Sequence, residues 1–93
     1  MITAIVFIKA DVARIPEVAE EIAALDGISE VYSVTGEIDL IALVRVRKHE
    51  DVATVVADRL NKVSGVVGTE THIAFRTYSR HDLEAAFAIG AAD

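Results

Sequence analysis

The stretch Val34-Thr35-Gly36-Glu37-Ile38-Asp39-Leu40 carries the groups best suited to hold a small ligand. A carboxylate at Asp39 can hold an ammonium group, and backbone N–H groups near Gly36 can hold a carboxylate. Together these are the two handles of a free amino acid. Thr69 and Thr71, two residues apart, place two hydroxyls on one side of a strand and could add hydrogen bonds. The same residues also satisfy a purely structural pattern. Gly36 permits the positive φ of a tight hairpin turn, and Asp39 then simply begins the next strand. Composition alone leaves both readings open.

Catalytic chemistry has little to work with. His49, His72 and His81 form no His-x-x-x-His pair, and the chain has no cysteine, hence no thiolate nucleophile and no thiolate metal site. No Gly-x-Ser-x-Gly elbow, Gly-x-Gly-x-x-Gly loop or Walker motif is present. The expectation is therefore no catalytic residue, no bound metal and no cofactor.

Composition narrows the partners. A net charge of -6 argues against direct DNA or RNA binding, which needs clustered Lys and Arg. The one dense basic stretch, Arg45-Val46-Arg47-Lys48, reads as the solvated end of a strand. Uncharged runs such as Ala85–Ala92 fall far short of the roughly 20 residues of a membrane span. The apolar start Met1–Ile8 lacks a preceding basic region, so a signal peptide is not expected and the cytoplasm is. Yet 53% of residues are hydrophobic and mean hydropathy is +0.41, high for a small soluble monomer. Self-association is the remaining way to hide that surplus.

The elements that must position these residues follow from a repeat at an offset of 38. Ile2, Ala4, Val6 and Ile8 fall on Leu40, Ala42, Val44 and Val46; Val18, Ile22 and Leu25 fall on Val56, Leu60 and Val63; Gly27 falls on Gly65. Each copy reads as strand, helix, turn. Residues 2–9 and 38–47 are β-branched and aliphatic, as strands prefer. Ile15, Val18, Ile22 and Leu25 recur at helical spacing behind Pro16, with Asp26-Gly27 as the stop. The second helix opens with Glu50 and Asp51, carries Val52, Val55, Val56, Leu60 and Val63 as its stripe, and closes at Gly65. Residues 28–35 and 66–78 supply the second and fourth strands, with a short turn at Gly36-Glu37 between strands two and three.

Two such halves predict an α+β fold, ferredoxin-like βαββαβ, with a four-stranded antiparallel sheet and both helices on one face. The even residues of strands one and three should face the helices. The odd set includes Ile5, Phe7, Ile41 and Leu43 and has no helix left to cover it, so dimerisation through the sheet is expected. The domain should span residues 1–79. Residues 80–93 should form a C-terminal tail with a short helix: Ser79 with Asp82 resembles a capping box, and Leu83 and Phe87 share a helical side that could dock on its own or a neighbouring subunit.

The strand–helix–strand register, Val31 to Leu40, and Gly65-Val66-Val67-Gly68-Thr69-Glu70-Thr71 closely resemble the effector domain of Lrp/AsnC-type regulators, the RAM domain. The resemblance covers roughly residues 2 to 78; its motifs, Thr-Gly-x-x-Asp and Gly-Val-x-x-Thr-x-Thr, are specific in combination and order. It implies dimers paired through their sheets and assembled into octamers or similar rings, with amino-acid effectors bound between dimers near the hairpin. It points to Gly36, Ile38, Asp39, Thr69 and Thr71 as pocket residues, with Thr35 and Glu37 behind them. Where the family often has an aromatic residue, this chain has Ile38, so the effector is not fixed by resemblance. The first strand begins at residue 2, which leaves no helix-turn-helix domain before it. A stand-alone RAM domain is the expectation: one that senses amino acids or co-assembles with full-length relatives. Two rivals stand beside it, an assembly adaptor that binds no ligand and a dimeric α/β-barrel enzyme, which would need polar groups converging on the open sheet face.

Overall fold

The computed structural model describes residues 1–80. Strand β1 (Ile2–Ala10) leads through a single 3-10 turn (Val12–Arg14) into α1 (Ile15–Ala23), then β2 (Ile28–Ser33), β3 (Leu40–Val46), α2 (His49–Ala53) and β4 (Val66–Ala74). The four strands form one sheet in the order β2-β3-β1-β4, and every neighbouring pair is antiparallel. The ferredoxin-like architecture is therefore as expected. The expected helix carrying Leu83 and Phe87, like residues 81–93 as a whole, lies outside the described residues.

Strand alternation decides the core. Ala4, Val6, Ile8, Leu40, Ala42 and Val44 have no exposed surface and join Val18, Ile22, Val52, Val55, Val56 and Leu60 in one cluster. Burying each large aliphatic side chain contributes roughly 1.5–3 kcal/mol relative to leaving it in water. Both helices thus cover the even side of the sheet.

The two halves lock together through their turns. Gly27, at φ +93°, ends α1 and lies so close to Val55 that a Cβ there would sit 2.5 Å from Val55 Cγ2. Gly65, at φ +100°, does the same against Val18, with a Cβ at 2.6 Å from Val18 Cγ2. Each repeat therefore ends in a glycine packed on the helix of the other repeat.

Strand ends and the course of the second helix differ from the sequence expectation; β1 runs on to Ala10, and β3 runs from Leu40 to Val46 rather than from Ile38 to Arg47. β2 ends at Ser33 rather than Thr35, because Ser33 pairs with Leu40 and the connection between β2 and β3 is a loop spanning residues 34–39 rather than a short turn at Gly36-Glu37. β4 ends at Ala74 rather than Tyr78, because Ala74 pairs with Thr3 and β1 has almost no backbone left beyond it. The second helix is not uniformly α-helical: Thr54–Arg59 widens into π-helical turns and Leu60–Lys62 tightens into a 3-10 turn. Thr54-Val55-Val56 is a β-branched run, and Thr54 Oγ1 donates back to the Glu50 carbonyl, both of which loosen α-helical geometry.

Candidate functional site

The hairpin end of the sheet is built around Asp39. The loop closes when Val34 N–H donates to the Asp39 carbonyl at 3.0 Å, and Asp39 N–H donates to the Ile8 carbonyl at 3.0 Å. β1 then outruns β3. Its register against β4 shifts between Lys9, which pairs with Gly68, and Ala10, which pairs with Val66. Ala10 N–H has no β3 partner there and donates instead to Asp39 Oδ2 at 2.9 Å. A half-buried carboxylate is thereby held by one oxygen, and among the described residues Oδ1 makes no hydrogen bond. Gly36, at φ +112°, is exposed at the loop tip with open space where a Cβ would be, flanked by exposed Thr35 and Glu37. Ile38 is half-buried beside Asp39.

Sequence placed Thr69 and Thr71 in the same pocket without deciding which side of the sheet they face. Thr69 pairs with Ile8 and Thr71 with Val6, so both share the helix-covered side. Thr69 Oγ1 donates to Asn61 Oδ1 at 2.9 Å. Thr71 instead lines an apolar hollow between the second helix and β4, with Val52, Val56, Ala57 and Ile73. One subunit therefore does not gather all seven residues. Thr35, Gly36, Glu37, Ile38 and Asp39 form one surface, and Thr71 belongs to another. Asn61 and the Ala10 amide were missed, since nothing in their local sequence marks them; the shift at Gly68 is the only trace of the freed amide.

The side of the sheet that neither described helix covers is more polar at its margins than alternation on two strands suggests. Ile5, Phe7, Ile41 and Leu43 are half-buried at its centre. The edge strands add Tyr32 opposite Ile41, Glu30 opposite Leu43, Glu70 opposite Phe7 and His72 opposite Ile5. Phe7 and His72 meet at a tilt of 59° with 5.1 Å between ring centroids, and His72 Nε2 lies 3.1 Å from Glu70 Oε2. An apolar centre within a polar rim is the anatomy of a protein interface. Among the described residues no cluster of three acidic or histidine side chains could hold a metal, and no helix is long and apolar enough to cross a membrane.

At this margin Tyr32 donates a hydrogen bond to the Glu30 carboxylate. That bond, and next the negative charge itself, hold the Tyr32 phenol above its ordinary pKa. The protonated phenol is the favoured form in the fold, so its contribution is present below the unfolded value and lost as pH rises through the raised one. In a Tyr78→Phe background, phenolate absorbance should appear at higher pH than for free tyrosine, and Glu30→Gln should bring it back. An unchanged titration in Glu30→Gln would remove this contact from the account.

The sequence model of the Lrp/AsnC ligand-binding domain matches residues 3–83. The chain belongs to the Lrp/AsnC family. An HTH-type transcriptional regulator of Pyrococcus horikoshii, PH1916, is 43% identical over 61 residues, 66% of this chain and 41% of that protein. The solved structure of TTHA0845 from Thermus thermophilus has a TM-score of 0.81 and 46% identity, covering 86% of this chain and all of that one. The feast or famine regulatory protein of M. tuberculosis, solved with L-methionine, shares the fold at a TM-score of 0.71 and 24% identity over 86% of this chain and 54% of its own. This RAM domain spans about two fifths to one half of the curated relatives that it matches. The Lrp/AsnC family is one of transcriptional regulators, not of enzymes.

Proposed function

We propose that this Lrp/AsnC domain is an amino-acid-binding regulatory module that works as a cytoplasmic oligomer. Two copies cover each other's open faces through Ile5, Phe7, Ile41 and Leu43, and dimers assemble further into a ring. The hairpin of one copy meets a neighbouring dimer, and an amino acid sits at that seam, its ammonium toward Asp39 and its carboxylate toward backbone N–H groups near Gly36. Thr69 and Thr71 then act from the neighbouring copy. A ligand at the seam selects one assembly state by binding it more tightly than the other. The response passes to full-length regulators of the family, since a chain of net charge -6 is poorly suited to hold DNA phosphates itself.

The observation that carries this reading is the Asp39 carboxylate, fixed by one oxygen to Ala10 N–H while Oδ1 makes no hydrogen bond among the described residues. The relative solved with L-methionine supports the ligand class. Thermal melts across the proteinogenic L-amino acids test it. A true ligand at tenfold excess over its Kd stabilises by about 1.4 kcal/mol, a rise of several degrees in Tm. Asp39→Asn keeps an oxygen for Ala10 N–H but removes the charge, so it should fold and lose that rise. Asp39→Ala should also lose about 1–3 kcal/mol of stability, because a half-buried amide is left unpaired. No shift with any amino acid at millimolar concentration would favour the ligand-free adaptor.

A further inference from the structure

The two glycine junctions of the repeat are alike in shape and unlike in charge. At each, an arginine from the other half reaches the residue before the glycine. Arg14 Nη1 donates to Ser64 Oγ at 3.2 Å beside Gly65, and Arg59 Nη1 donates to the Asp26 carbonyl at 3.1 Å beside Gly27. Arg14 is neutralised by Glu21, 3.6 Å away. Among the described residues, nothing equivalent happens beside Gly27. There a cavity of about 220 Å³ is ringed by Arg47, Arg59, Asp26 and Asp51 over an apolar floor of Val46 and Val55. Among the described residues no ion pair joins any of the four charges.

Each charge is set by a different part of the fold. Asp26 lies in the turn after α1, Arg47 just after β3, Asp51 in the first turn of α2, and Arg59 at the end of the π-helical segment. The turn itself is fixed by Arg45 N–H donating to the Gly27 carbonyl at 2.9 Å. Thr54, Val55 and Arg59, three of the lining residues, come from the π-helical turns, a departure from α geometry that recurs at functional sites. Two positive and two negative groups are thus placed around one hollow without satisfying each other. Its volume is below the roughly 300–1,000 Å³ of drug-sized sites and on the scale of a small metabolite.

We infer that this hollow is a second small-molecule site, taking a free α-amino acid or an equivalent zwitterion. The carboxylate lies toward Arg47 and Arg59, the ammonium toward Asp26 and Asp51, and a short apolar side chain rests on Val46 and Val55. The site is separate from the hairpin, since Ile2 pairs with Val46 and Ile8 with Leu40, which puts the two at opposite ends of the sheet. Six residues of β3 separate them by about 20 Å. Three of its four charges are exposed, so binding is weak and reads amino acids only when they are abundant.

Two-dimensional ¹H–¹⁵N spectra of the full chain, titrated with each proteinogenic L-amino acid in turn, test both ends at once. The expected result is saturable shifts at Gly27, Thr54 and Val55 with at least one amino acid. They should persist in Asp39→Asn and weaken roughly tenfold or more in the double variant Arg47→Gln/Asp51→Asn. Neither of those two side chains makes a hydrogen bond among the described residues, so the variant should keep its spectrum. The N-acetyl amide of the same amino acid, lacking both charges, should leave Gly27 unmoved. Shifts confined to Gly36, Asp39 and Gly68 would overturn the second site and leave the hairpin reading standing. Shifts at Gly27 that survive Arg47→Gln/Asp51→Asn, or that the blocked derivative reproduces, would overturn recognition of a zwitterion here. A spectrum that no amino acid moves would overturn both sites.

Discussion

Leu43→Asp should leave a folded single subunit where the unaltered chain is expected to form an assembly. Leu43 is at the centre of the uncovered sheet face, half-buried and opposite Glu30, and is not part of the core cluster. A carboxylate there costs the subunit little, because it meets water. In a symmetric dimer it would be desolvated twice, once per copy, beside Glu30. A penalty of several kcal/mol per pair corresponds to at least about a thousandfold weaker association. Sedimentation velocity at micromolar protein should show the loss, with circular dichroism unchanged. An assembly of the original mass in Leu43→Asp would mean that this face is not where the copies meet.

Gly27→Ala should cost far more stability than Gly36→Ala. Its added Cβ would sit 2.5 Å from Val55 Cγ2, and the backbone is at φ +93°. Left-handed strain of about 1–2 kcal/mol adds to overpacking of about 1–3 kcal/mol. A loss of roughly 2–5 kcal/mol is a large share of the roughly 5–15 kcal/mol that holds a domain together. Gly36→Ala supplies the comparison. It has similar backbone strain at φ +112°, but no atom of the described residues lies within 4 Å of the new one. Urea melts at equal protomer concentration should therefore place Gly27→Ala well below Gly36→Ala. Equal losses would mean that the turn of one repeat does not press on the helix of the other.

The contrast between these glycines shows what sequence can carry. Gly27 and Gly65 recur at the same offset as the strands and helices, so their place as helix stops was legible. Their contact with Val55 and Val18 was not, because it joins elements from opposite halves. Alternation on β1 and β3 gave the buried side correctly, since both strands are central and one face is wholly apolar. β4 carries no such signal: Thr69, Thr71 and Ile73 face the helices while Glu70 and His72 face the open side, and neither set is wholly apolar. The polar margin of Tyr32, Glu30, Glu70 and His72 was hidden for the same reason. At the hairpin, Asp39 was singled out for its charge, but its bond to Ala10 N–H depends on a register shift that no local pattern announces.

Native mass spectrometry of the unaltered chain, with and without a mixture of amino acids, addresses stoichiometry and ligand together. Even-numbered assemblies that retain bound amino-acid mass are expected, with the distribution of assembly sizes shifted by the ligand. Lone subunits at micromolar concentration, carrying no added mass in the presence of the mixture, would contradict an amino-acid-binding oligomer.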